Sequence, residues 1–137
     1  PILERVGDIL LNIINFLRET DLKAPEFKTI HKKIGKMMEY ASEMLRNAIF
    51  SFSNEDSHVA YKVIEEDDKV DTLFHEIAVS LQEAFANRPL SMSEVQSIIN
   101  ANAISYNLER IGDSSTNIAE SAIYLTDGKD IRHGNKK

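Results

Sequence analysis

An eleven-residue segment occurs twice in this chain, so whatever it folds into is assembled from a repeated unit. Leu3-Glu4-Arg5-Val6-Gly7-Asp8-Ile9-Leu10-Leu11-Asn12-Ile13 returns 105 positions later as Leu108-Glu109-Arg110-Ile111-Gly112-Asp113-Ser114-Ser115-Thr116-Asn117-Ile118, with seven of the eleven positions identical. Core packing alone would keep the apolar positions. Here a glutamate, an arginine, a glycine, an aspartate and an asparagine recur as well, which points to a polar task performed twice.

The rest of the chain supplies helices to carry that unit. Only five glycines and three prolines interrupt 137 residues. A first helix is expected over 2–18, with Leu3, Val6, Leu10, Ile13 and Leu17 as its apolar seam. Thr20 to Pro25 reads as a turn, with Pro25 at the first position of a second helix over 26–52, where its missing N–H costs nothing. Phe27, Ile30, Ile34, Met37, Ala41, Met44, Ala48 and Phe52 keep the three-four spacing of a bundle helix. After the polar link Ser53-Asn54-Glu55-Asp56, a third helix over 57–87 runs on Val59, Val63, Val70, Leu73, Ile77, Leu81 and Ala84. Arg88-Pro89-Leu90 breaks it. Ser91 with Glu94 forms a capping box for a fourth helix over 92–127, which ends at Gly128. The seam of that helix is Ile104, Leu108, Ile111, Ser115, Ala122 and Leu125.

The expected fold class is therefore all-α. Residues 25–128 form one antiparallel three-helix bundle, a complete repeat. Residues 1–20, which carry the other copy of the motif, read as the last helix of a preceding repeat, and 129–137 as a tail. On this reading the first helix needs a cover for its seam, and association of two chains through it is favoured over folding back.

Composition narrows the function. A net charge of −6 and the absence of cysteine argue against a nucleic-acid surface and remove disulfides and thiolate metal sites. No apolar run reaches the roughly 18 residues that span a bilayer. Spacing defends no serine–histidine–acid constellation and no phosphate-cradling glycine loop.

Three polar stripes remain, each with a four-residue step that stacks its members on one helix face. They are Glu4, Asp8 and Asn12; Asp67, Asp71 and His75; and Glu109, Asp113 and Asn117. The two copies of the repeat hold their stripes away from the apolar seam, so a plain solvated face is one reading. A cation site is the other. Like charges one turn apart destabilise a helix by a few tenths of a kcal/mol, and an interior glycine costs about 1 kcal/mol against alanine. Both liabilities occur in both copies, at Glu4/Asp8 with Gly7 and at Glu109/Asp113 with Gly112. A bound hard cation would offset the repulsion through oxygen ligands, and the glycine would let a neighbouring helix or a hydrated ion approach. His75 is a surface histidine or an additional nitrogen ligand.

The motifs LERVGD-x3-N and LERIGD-x3-NIAE, the acidic helix Val63-Ile64-Glu65-Glu66-Asp67-Asp68-Lys69-Val70-Asp71-Thr72-Leu73 and the ending Tyr124-Leu125-Thr126-Asp127-Gly128-Lys129-Asp130-Ile131-Arg132-His133 resemble the PhoU family of bacterial phosphate-signalling regulators. The resemblance implies two tandem three-helix repeats. Metal ions of the iron, zinc or magnesium type would sit on the bundle surface at Glu4, Asp8, Glu109, Asp113, Asp67 and Asp71, the better site being Glu109 and Asp113 assisted by Asp67 and Asp71 from the antiparallel neighbour, with Asn117, Asn12 and His75 as possible additional ligands. It further implies a non-enzymatic cytoplasmic protein that couples the phosphate ABC transporter ATPase to a phosphate sensor kinase and represses the starvation response. Homo-oligomers are expected, with no nucleic acid bound and no direct membrane insertion. The cytosolic PhoU-like domain of a sodium/phosphate cotransporter is the alternative, and a carboxylate-based metal hydrolase is a third reading from a different class.

Overall fold

Pro25 opens the first helix of the bundle, as its fixed φ and missing donor favour. The computed structural model describes residues 25–128 together with Glu4, Gly7, Asp8 and Leu11, all four of which are helical. The bundle helices are α1 (Pro25–Ser53), α2 (Ser57–Asn87) and α3 (Met92–Asp127), within a residue or so of the second, third and fourth expected helices.

Each junction is closed by a local bond that the sequence makes available. Asp56 caps α2 by accepting a hydrogen bond from the Val59 N–H at 3.1 Å. Ser91 and Glu94 form the reciprocal capping box of α3: Ser91 Oγ accepts from the Glu94 N–H at 3.1 Å, and the Glu94 carboxylate accepts from the Ser91 N–H at 2.9 Å. Arg88, just past the end of α2, donates to the same carboxylate, so one side chain ties the α2–α3 link to the start of α3. These bonds, from Arg88 first and Ser91 next, hold Glu94 down to a pKa of about 2. Gly128 ends α3 at φ 67°, and its N–H donates to the Tyr124 carbonyl at 2.9 Å.

The helices alternate in direction. Lys33 of α1 meets Glu76 of α2 at 3.0 Å, and seven residues later Tyr40 meets Lys69, seven residues earlier on α2. α2 and α3 are antiparallel in the same sense: Phe74 lies against Tyr106 and Asp67 against Gly112. α1 and α3 are therefore parallel, and each helix packs on both others.

The core follows the expected seams. Ile30, Ile34, Met37, Met44, Val63, Val70, Ile77, Leu108 and Ile123 are fully buried, each worth about 1.5–3 kcal/mol of transfer free energy. Ser51, Ser105 and Ser115 are buried too, and each satisfies its hydroxyl on a carbonyl of its own helix. Three seam positions depart from expectation. Phe52 and Leu125 are exposed and Val59 is half-buried, while Ser51, Ile123 and Ala60 turn inward instead. All three lie toward the end of the bundle where α1 joins α2. A helix has 3.6 residues per turn, so each step of a seam can be three or four residues. The close of the bundle at Ser53–Asp56 selects the other option there. The expected seam Leu3, Val6, Leu10, Ile13 and Leu17, and the tail 129–137, lie outside the described residues. No described helix is long and apolar enough to cross a membrane.

Candidate metal centre on the α2–α3 face

The acidic stripes of α2 and α3 meet. Antiparallel pairing sets Asp67 and Asp71, one turn apart on α2, against Glu109 and Asp113, one turn apart on α3. The hinge of this arrangement is Gly112. It is buried at the α2–α3 contact, and a Cβ built there would lie 3.3 Å from Asp67 Oδ1 and 3.5 Å from Val70 Cγ1. The repeated glycine thus lets a carboxylate of the neighbouring helix come up to the α3 backbone.

That carboxylate is poorly provided for. Asp67 Oδ1 is buried and has no hydrogen-bond partner, a situation that costs free energy unless something else satisfies the oxygen. Burial first, then the negative charges of Asp71, Asp113, Asp68 and Glu109, push the Asp67 pKa up to about 6. Burial also raises Glu109, helped by Asp113 and Asp71, while nearby His75 acts in the opposite sense. Asp113 is raised by burial and by Asp71. Four carboxylates on two helices therefore share one electrostatic site.

The stripes are neither core nor freely solvated. Asp67, Asp71 and Glu109 are half-buried on the flank between the helices, whereas Asp113, Asn117 and His75 are exposed. The His75 ring stands edge-on to Phe74, with centroids 5.9 Å apart. Asp68, whose charge also acts on Asp67, was not among the expected site residues; its signal in the sequence was the adjacent pair Asp67-Asp68. Glu4 and Asp8 are helical and exposed, and neither forms a hydrogen bond or ion pair among the described residues. Asn12 lies outside the described residues.

The donor set suits a hard cation: carboxylate oxygens on two facing helices, one of them buried without a partner. The side chains as they stand do not converge on a point, and among the described residues no three histidine, aspartate or glutamate side chains are arranged to hold a metal ion.

The PhoU domain family matches residues 34–122, which include all of α2, α3 as far as Ala122 and both acidic stripes. The chain is 30% identical over 134 residues to the phosphate-specific transport system accessory protein PhoU homolog of Xylella fastidiosa strain 9a5c, covering 94% of this chain and 52% of that protein. It is 35% identical over 104 residues to the PhoU homolog 1 of Thermotoga maritima, covering 76% and 45%. To the PhoU homolog of Aquifex aeolicus it is 33% identical over 135 residues, covering 96% and 57%. The chain spans about half the length of the curated relatives it matches. No solved structure matches it.

Proposed function

The chain belongs to the PhoU family, and on that premise we propose that it serves as a non-enzymatic cytoplasmic regulator of phosphate uptake and of the phosphate-starvation response. In this reading it is an adaptor between the phosphate ABC transporter ATPase and a phosphate sensor kinase. Residues 25–128 are one repeat of that adaptor, and the duplicated motif in 1–20 belongs to the other.

The observation that carries the reading is the shared carboxylate site of α2 and α3 on an open helical face. Asp67, Asp71, Glu109 and Asp113 would hold a divalent or trivalent cation, with Asn117 and His75 at its margin. The cation would supply positive charge to the face, satisfying the buried Asp67 oxygen and relieving the mutual repulsion. That is a structural and recognition role: long exposed helices offer a partner a surface, and charge on that surface tunes which partner fits.

Metal uptake tests the site. Titration calorimetry with manganese, zinc and ferrous ions should show binding to the wild type and loss of it in Glu109→Gln/Asp113→Asn. Helicity should be retained, because removing charge relieves the repulsion in the metal-free protein. Ligand present at a hundred times its dissociation constant stabilises the fold by about 2.7 kcal/mol, so thermal denaturation gives a second readout. Equal uptake by the double variant would remove the site. The regulatory role is tested separately: deleting the full-length gene should leave starvation genes expressed in high phosphate, and continued repression would end the assignment.

A further inference from the structure

α1, the helix that contributes nothing to the acidic site, carries its own charge pattern. Lys28, Lys32 and Lys36 stand four residues apart on α1 and are exposed. They form a row about 12 Å long at 1.5 Å per residue. None of the three makes an ion pair or hydrogen bond among the described residues, whereas Lys33 beside them is taken by Glu76 at 3.0 Å. In a chain of net charge −6, no acidic residue lies between Glu26 and Glu39. α3 runs parallel to α1, so its first half lies at the same end of the bundle, and from Val95 to Leu108 it has no charged residue. The lysines therefore form a positive row on α1 of an acidic protein, bearing the same like-charge cost at four-residue spacing that the carboxylates bear; of the acids that α2 brings to the same end, Glu76 and Glu83, Glu76 is taken by Lys33.

The row ends at a groove. Lys36, Tyr40, Asp68, Lys69, Thr72, Leu73 and Glu76 enclose an open space of about 320 Å³ between α1 and α2. Lys69 lies 5.4 Å above the Tyr40 ring and is also paired with Glu66 at 3.1 Å, so the groove has a fixed wall.

We propose that the Lys28–Lys32–Lys36 row and this groove dock an acidic amphipathic helix of a partner protein. Charge complementarity selects the occupant. Carboxylates at i, i+4 and i+8 of a helix repeat with the same rise as the lysines, and an apolar side chain one turn beyond would reach Leu73 and Tyr40. A free small anion matches less well, because two acids balance the two lysines of the groove. A lipid surface would want exposed apolar residues among the lysines to insert, and Phe27, Ile30, Ile34 and Met37 are all buried. The inference is consistent with an adaptor but rests on residues that reading does not use, and a binding assay in vitro is independent of the starvation phenotype.

The test uses the full chain and a fluorescent synthetic helical peptide with glutamates at i, i+4 and i+8 and a leucine one turn further on. Fluorescence anisotropy should show binding that weakens with salt and falls at least tenfold in Lys28→Gln/Lys32→Gln/Lys36→Gln. A peptide with glutamines in place of the glutamates should bind no better than that variant does. Lys32→Glu should lose the original peptide and regain one whose central glutamate is lysine. Unchanged binding in the triple variant, or equal binding of the glutamine peptide, overturns the proposal. So does lysine-dependent binding to phosphatidylserine vesicles without peptide binding, which makes the occupant a membrane. Lysine-dependent self-association in sedimentation without peptide binding also overturns it, making the occupant a second copy.

Discussion

Gly112 of α3 and Asp67 of α2 come together because the glycine has no side chain: the Asp67 Oδ1 lies 3.3 Å from the ideal Cβ position, closer than an ordinary van der Waals contact. Alanine at 112 gains about 1 kcal/mol of helix propensity and crowds an oxygen that is buried without a partner. Asp67 is half-buried, so its carboxylate has a way out toward solvent. Gly112→Ala should therefore fold with stability within about 1 kcal/mol of wild type. Its Asp67 should titrate nearer 3.8 than 6, and metal uptake should weaken. Carbon-13 titration of the Asp67 carboxyl checks this; a value still near 6 would show that the contact does not hold the group.

The same aspartate sets a pH dependence opposite in sign to that of an ordinary ion-paired acid. Its folded pKa, about 6, lies above its ordinary 3.8, so between these values the folded state holds the proton more tightly. Stability from this group is greatest below about pH 4 and declines as pH rises through 6. Solvent screening of a partly buried group leaves about 1 kcal/mol of the effect. Asp67→Asn should raise the neutral-pH stability of the metal-free protein by about that much and flatten the profile from pH 4 to 6. Urea denaturation across this range measures both.

At the α2–α3 link the sign reverses. Glu94 is held down to a pKa of about 2 by Arg88 and Ser91, so its contribution is present above its ordinary 4.5 and is lost as pH falls toward 2. Arg88→Gln should bring the Glu94 pKa up toward 4.5, visible by NMR titration. Ser91→Ala removes the other half of the capping box and should cost about 1 kcal/mol, a fall in Tm of roughly 4–8 °C for a domain of about 100 residues.

Glu55 occupies the left-handed region at φ 51° in the α1–α2 link. An L-residue is disfavoured there by about 1 kcal/mol or more, while glycine adopts it freely but loses more freedom on folding. Glu55→Gly should gain about 0.5 kcal/mol net. The urea midpoint should rise with an unchanged m-value. A destabilised variant would mean that the glutamate side chain contributes more than its backbone costs.

The helices, their ends and most of their buried faces were legible in the sequence, because three-four apolar spacing, the Ser91/Glu94 box, Pro25 and Gly128 are local signals. The duplicated motif marked Glu109, Gly112 and Asp113 as a polar unit, and the four-residue step placed Asp67 and Asp71 on one face. That Asp67 and Asp71 stand beside Glu109 and Asp113 was expected from the antiparallel order of the helices, but the residue-level register was not legible, since periodicity describes a helix alone. Only tertiary packing decided that Gly112 lies against Asp67, that one Asp67 oxygen loses both water and partner, and that burial together with Asp68 and three further carboxylates raises its pKa. Packing likewise turned Ser51 and Ile123 inward in place of Phe52 and Leu125. A helix offers two nearly equivalent steps at 3.6 residues per turn, and only a neighbouring surface chooses between them.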